Sequence, residues 1–439
     1  MTDGSIWKSL IVFFIPLLFG SFIQTLYSMV DAMMVGRFVG ERALSAVGGT
    51  DYMIIVLYIG LYSGLATGAN VVISQLFGAG ERKKLFRTID TAMVIGLIFG
   101  LLLGAASIAA TPRMLEIMNN PADTMTDSII YLRVYSFGIP ALVVYNMGAG
   151  ILRGLGDAKS PTLVLAVSSV LNIILDAVLI LLFSMGVGGA AAATVIAQCI
   201  AAVWMFCMLE KRMKAAEARK RRPDGYACRR ILQIGLPAAL QSMTYSVANI
   251  ITQVFVNGFG SRTVAAWAVF GKVDSVYWMV VSTFGIAVTT LIGQNYGAGK
   301  YDRVKKSLKQ STFMSLLFTA VFAVLIWVFA RQMFYLFNNN EELVELGVWM
   351  ARSFAPFYLA YAGIETMSAV LRGTGEITAP TVIMVGGICG VRLAWLFYAV
   401  PYFGTFYSLM LVYPVSWVVA EGLFLGYYLL RGRKKLERR

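Results

Sequence analysis

Two aspartates stand in otherwise apolar stretches: Asp31 in TLYSMVDAMMVG and Asp176 in LNIILDAVLI. A carboxylate buried in hydrocarbon costs several kcal/mol, so each needs a partner or a function. Asn172 precedes Asp176 by four residues, which puts both on one face of a helix. Thr194 in AAATVIAQ and Tyr131 add a hydroxyl and a phenol at overlapping depth. Two carboxylates with an amide, a hydroxyl and a phenol form an acceptor cage suited to Na⁺ or to a shared proton. The same residues also fit a plainer role, in which buried Asn and Thr bond neighbouring helices together. Gln24 and Tyr27 precede Asp31 by seven and four residues and share its helix face. With Met33, Met34, Tyr145 and Asn146 they are candidates for lining an adjoining cavity, since thioether and aromatic surfaces accept varied organic cations. Core packing or lipid contact is the other reading of each.

Lys272, Asp274, Glu365, Arg392 and Glu421 are the remaining charges in apolar surroundings. Glu365 is either a second protonation candidate or the partner of a basic group such as Arg392. Lys272 and Asp274, two residues apart, point to different sides of a helix and call for partners on other helices. Histidine is absent, so any proton relay runs through carboxylates, Lys, Tyr or Cys. Cys199, Cys207, Cys228 and Cys389 have no paired spacing, which argues against a disulfide framework and a zinc site. The glycine-rich pieces FGAG, YGAG, LRGLGD and LRGTGE lack the G-K-[ST] of a phosphate loop. No enzyme activity and no cofactor beyond a coupling ion are expected.

The elements that position these residues follow from composition. Of the 439 residues 58% are hydrophobic and 14% charged, with a mean hydropathy of +0.72; soluble domains carry about 25% charged residues. Apolar runs of the length a bilayer requires, about 20 residues, alternate with short charged stretches. Only helices satisfy their backbone within such runs. The fold class expected is therefore an all-α polytopic membrane protein with twelve transmembrane helices, near 10–36, 46–76, 88–110, 127–152, 161–184, 188–209, 231–257, 265–293, 309–330, 347–371, 379–400 and 405–430. The first run reads as a retained helix rather than a signal peptide. With both termini in the cytoplasm most of the 37 Lys and Arg fall on that side, and only Arg37, Arg42, Arg113, Arg262 and Arg331 fall in outer loops. That bias sets the expected orientation in the cell inner membrane. It also accounts for the net charge of +14 without a nucleic-acid partner.

A shift of 219 residues lays the first half on the second. Gln75 and Gly78-Ala79-Gly80 meet Gln294 and Gly297-Ala298-Gly299, Leu152-Arg153-Gly154 meets Leu371-Arg372-Gly373, and Pro161-Thr162 meets Pro380-Thr381. Asn119 meets Asn338 and Arg133 meets Arg352, while Pro16 meets Pro237 at a slightly different offset. The expected domains are an N-terminal six-helix lobe at 1–210, a basic cytoplasmic linker at 211–230, a C-terminal six-helix lobe at 231–430 and a basic tail at 431–439. Repeats of this kind recur in transporters. The acids are not repeated: Val391 and Trp395 stand opposite Asn172 and Asp176. Each frame can be built without them.

The early proline and Asp31, the Q-x-x-GAG endings at Gln75 and Gln294, and the paired LRGxG[DE] turns followed by Pro resemble the multidrug and toxic compound extrusion (MATE) transporters over nearly the whole chain. The resemblance implies two six-helix lobes around a V-shaped cavity, and export of organic cations or other xenobiotics against inward Na⁺ or H⁺ flow. It implies a coupling site matched here by Asp31, Asn172, Asp176 and Thr194, with Tyr131 in a supporting place and Na⁺ as one occupant. Other members use acids on helices 7 and 10; here helix 7 has none and helix 10 has Glu365 alone. The partners expected are small organic substrates and the lipid bilayer, with a monomer as the plausible state. A lipid-linked oligosaccharide flippase of related fold, or a non-transporting scaffold or channel, is the alternative.

Overall fold

The computed structural model describes residues 1–53, 58–118, 120–215, 223–337 and 340–432. The middle of the linker (216–222), the tail from 433 and the repeat pair Asn119 and Asn338 lie outside the described residues. All regular structure among the described residues is helical: α1 Ile6–Phe38, α2 Glu41–Met53, α3 Gly60–Gly78, α4 Arg82–Ile117, α5 Met125–Gly154, α6 Lys159–Asp176, α7 Gly186–Ala215, α8 Gly225–Asn257, α9 Ser261–Gly297, α10 Tyr301–Tyr335, α11 Glu341–Phe354, α12 Tyr358–Gly373, then the short α13 Thr378–Ile383, α14 Val391–Ala394 and α15 Val400–Phe403, and α16 Phe406–Tyr427. Among the described residues nine helices are long and apolar enough to cross a membrane. The expected span 347–371 is interrupted by a tight turn at Ala355–Phe357, where Pro356 lacks the N–H a continuing helix would use. The expected span 379–400 runs through α13 to α15, with wider π-type turns at Met384–Gly390 and Trp395–Ala399.

The chain forms two compact units, one of Val12–Leu240 and one of Met1–Ile11 with Gln241–Arg439. Helix α1 thus opens in the second unit and continues in the first, and α8 does the reverse. The first four residues are held to the second unit by its own cations. Lys300 Nζ donates to Thr2 O and Asp3 Oδ1, and Arg303 donates to the carbonyls of Met1, Asp3 and Gly4. In the other unit, Asp224 just ahead of α8 donates its backbone N–H to Thr91 Oγ1 on α4 at 2.9 Å.

The repeated motifs are helix endings. Gly80 and Gly299 end the GAG turns at φ +71° and +69°, and Gly156 and Gly375 end the LRGxG turns at φ +87° and +84°. At each LRGxG turn an amide reaches back five residues, Asp157 to Leu152 and Glu376 to Leu371. This closes the exposed carbonyls of the last helical turn. The preceding glycine of the same motif allows close helix contact. A Cβ on Gly154 would stand 2.8 Å from Ile73 Cγ2 and 3.0 Å from Asn70 O, and one on Gly373 2.7 Å from Ile292 Cγ2 and 2.8 Å from Thr289 O. The two contacts are the same contact at the repeat shift.

Candidate coupling site

Asp31, Asn172, Asp176, Thr194 and Tyr131 all belong to the unit of residues 12–240. Helix α6 carries Asn172 and Asp176 as its spacing requires, and both are buried. Immediately after Asp176 the helix loosens into a π turn at Ala177–Leu182, a distortion often found at functional sites. Helix α7 packs against α6 and brings Thr194 to Asn172. With its carboxamide set by its neighbours, Asn172 donates to Asp176 Oδ2 at 3.2 Å and accepts from the Thr194 backbone N–H at 3.2 Å and hydroxyl at 3.3 Å. Asn172 thereby fixes one oxygen of Asp176.

Asp31 approaches from α1, its carboxyl in hydrogen-bonding contact with that of Asp176. Asp31 Oδ1 and Asp176 Oδ1 are buried atoms without a hydrogen-bond partner. Two carboxyls in contact cannot both stay charged without a cation or a proton between them. The donor set fits either occupant: two free carboxylate oxygens for a hard cation, or one oxygen to carry a proton and one to accept it. Helix α1 is anchored below this point by Thr162 Oγ1, which donates to Pro16 O at 3.0 Å. Tyr131 is buried on α5, which packs against both α6 and α7, and it stacks on Tyr135 at 6.2 Å between ring centres.

The residues expected to line a cavity divide into two sets. Tyr27 and Tyr145 are both neighbours of the buried Tyr62 on α3, together with Tyr135. Tyr62 and Tyr135 escaped the sequence reading, although Tyr135 stands one helical turn from Tyr131. Tyr145 donates to Pro161 O at 3.1 Å, and Asn146 Nδ2 donates to Leu142 O at 2.8 Å. Gln24 and Met33 are exposed along α1, and Met34 is half-buried.

In the other unit the charges are largely matched. Glu365 pairs with Arg372, two turns along the same helix, at 2.6 Å, both side chains about 15% exposed. Arg392 is buried, donates to Asn249 Oδ1 at 2.7 Å and lies over the Tyr413 ring at 4.2 Å. Asp274 accepts from Tyr358 and from Trp278, each at 2.6 Å, while Lys272 is exposed. Glu421 lies against Gly363 of α12, and its Oε2 has no hydrogen-bond partner. No group of three or more His, Cys, Asp or Glu is placed to hold a metal ion among the described residues.

A family model described as MatE matches residues 16–178 and 237–396. The chain is 29% identical to the probable multidrug resistance protein YoeA of Bacillus subtilis over 441 residues, covering 98% of this chain and 95% of that one. It is 26% identical to the probable multidrug resistance protein NorM of Thermotoga maritima, covering 90% and 86%. The structure superposes with a TM-score of 0.88, at 22% identity and over 99% and 98% of the two chains, on the outward-facing conformation of a multidrug resistance MATE transporter.

Proposed function

The chain belongs to the MatE family of membrane transporters, and on that premise we propose that it exports organic, cationic or amphiphilic compounds across the cell inner membrane by exchange for Na⁺ or H⁺. The observation that carries this reading is the contact of Asp31 with Asp176, each with one unpartnered buried oxygen. A coupling ion held there ties α1 to α6; its departure leaves two like charges in contact. That difference makes the ion favour one arrangement of α1. An ion with equal affinity for both arrangements would shift nothing. Substrate leaves from the tyrosine-lined region by Tyr27, Tyr62 and Tyr145, one helical turn from Asp31 on the α1 side. The names of the relatives, both probable multidrug resistance proteins, support the substrate class. The charge bias of the loops supports cytoplasmic termini. Glu365 is a weaker candidate for a second proton, because Arg372 already balances it.

The test is dye efflux from proteoliposomes with Na⁺ and pH gradients imposed separately. Wild type is expected to respond to one gradient. Asp31→Asn and Asp176→Asn are each expected to lower that response at least about tenfold, as losing one charge-assisted contact implies. Near-normal transport by both variants at matched reconstitution refutes the assignment.

A further inference from the structure

At the end of α10 remote from Tyr301, a cavity of about 440 Å³ is lined by Arg331, Glu345, Val348, Trp349 and Arg352, floored by Val344. None of these residues belongs to the coupling site. Glu345 and Trp349 stand four residues apart, as do Val348 and Arg352, and the two pairs are offset by three, so the four form a single face of α11. The opposite face presses Gly347 onto the Phe334 ring of α10, where a Cβ would stand 2.0 Å from a ring carbon. Helix α11 is therefore held firmly on α10, and the cavity lies on its outward face beside Arg331.

The charges in it are ordered by depth. Arg331 is already bonded to Glu341, which also accepts from Tyr335, and its charge reaches Glu345 as well. Arg352 and Glu345 are the two charges of the cavity not held in a close ion pair. Arg352 lies deepest: its Nε donates to Trp327 O at 3.1 Å and its guanidinium sits 5.0 Å from the Trp327 ring centre. Trp327 is eight residues from the end of α10, about 12 Å at the helical rise. Yet Arg352 is exposed there, on a stretch of α10 where Val324 and Trp327 are more than half exposed. A guanidinium facing lipid at that depth needs an anion. Glu345 stands seven residues nearer the helix start, about 10 Å toward water, and is exposed too.

We propose that this cavity is a specific site for the headgroup of phosphatidylethanolamine, with the phosphate on Arg352 and the ammonium on Glu345. A phospholipid inserted from the adjacent leaflet carries its phosphate next to its acyl chains and its amine farther out. That is the order in which the cavity offers its cation and its anion. The guanidinium takes a phosphate by parallel N–H donation. The carboxylate takes the N–H donors of a primary ammonium, which a choline headgroup lacks and a glycerol headgroup replaces with neutral hydroxyls. Trp327 and Trp349 flank the headgroup as indoles do at a membrane interface. The acyl chains descend along Val324 and Val321 of α10, both exposed.

The experiment is native mass spectrometry of the full chain in detergent, titrated with dioleoyl phosphatidylethanolamine, phosphatidylcholine and phosphatidylglycerol in turn. Wild type is expected to retain the ethanolamine lipid at least about tenfold more tightly than the other two. Glu345→Gln, on an exposed helix face, is expected to erase that preference and leave the phosphate-dependent binding common to all three. Arg352→Gln is expected to weaken all three, and Arg352→Lys to restore part of the loss. Equal retention of the three lipids by wild type overturns the site. So does an unchanged ethanolamine preference in Glu345→Gln, or unchanged binding in Arg352→Gln.

Discussion

Asn172 uses both ends of one carboxamide, donating a hydrogen bond to Asp176 and accepting from the amide and the hydroxyl of Thr194. Asp31 and Asp176 were legible because an acid in an apolar run is costly, and Asn172 because it stands one turn before Asp176. Thr194 came from its depth and from the family resemblance; no spacing rule ties it to α6. Tyr62 and Tyr135 were not legible, since a tyrosine on a membrane helix has many uses and no fixed spacing marks one. The partner of Glu365 was missed for a different reason: Arg372 lies seven residues away, and two long side chains close a gap that backbone spacing leaves open. Outside the spans, Asp157 bonds the hydroxyl and amide of Ser160 and pairs with Arg212. Partial burial works to raise its pKa, but these bonds outweigh it and hold the carboxyl below its ordinary value. A carboxylate with a depressed pKa lends stability above its unfolded pKa, about 3.9, and loses it as pH falls through the folded value. Wild type should therefore melt above Asp157→Asn at pH 7, and the gap should close as the pH is lowered below about 4.

Among the helices, the repeated turns were the most legible feature, because glycine at a positive φ and proline at the next helix start leave fixed marks in sequence. Interruptions inside the spans were less so. Pro356 breaks one expected span into α11 and α12, while Pro16, Pro112, Pro140, Pro237 and Pro414 are carried inside unbroken helices. Neighbouring helices decide which of these happens, and a single chain of letters does not name the neighbours. Helix contact through glycine is testable. Gly154→Val would drive side-chain atoms into Ile73 and the Asn70 carbonyl, and overpacking of this kind costs about 1–3 kcal/mol. Gly426 on α16 has open space around its Cβ position, and an alanine in a helix is favoured over glycine by about 0.5–1 kcal/mol. Thermal melts should place Gly154→Val well below wild type and Gly426→Ala level with it or above.

Across the whole molecule, the repeat and the membrane class were legible from hydropathy and from one constant shift, whereas the split of the helix openings between units was not. Orientation rests on loop charge and is open to direct measurement. In a chain with its four cysteines replaced by serine, a membrane-impermeant maleimide should label Arg262→Cys in intact cells, and Lys305→Cys only after permeabilisation. The reverse pattern would invert the topology. The exchanged openings of α1 and α8 bear on how the chain is made. As synthesis proceeds from the N-terminus, residues 12–215 emerge without the opening of α8, and residues 1–11 emerge long before the helices they join. The unit of residues 12–240 cannot close when its own repeat leaves the ribosome, because it waits for the opening of α8, and residues 1–11 wait until the second repeat is made; each half holds a piece that the other needs.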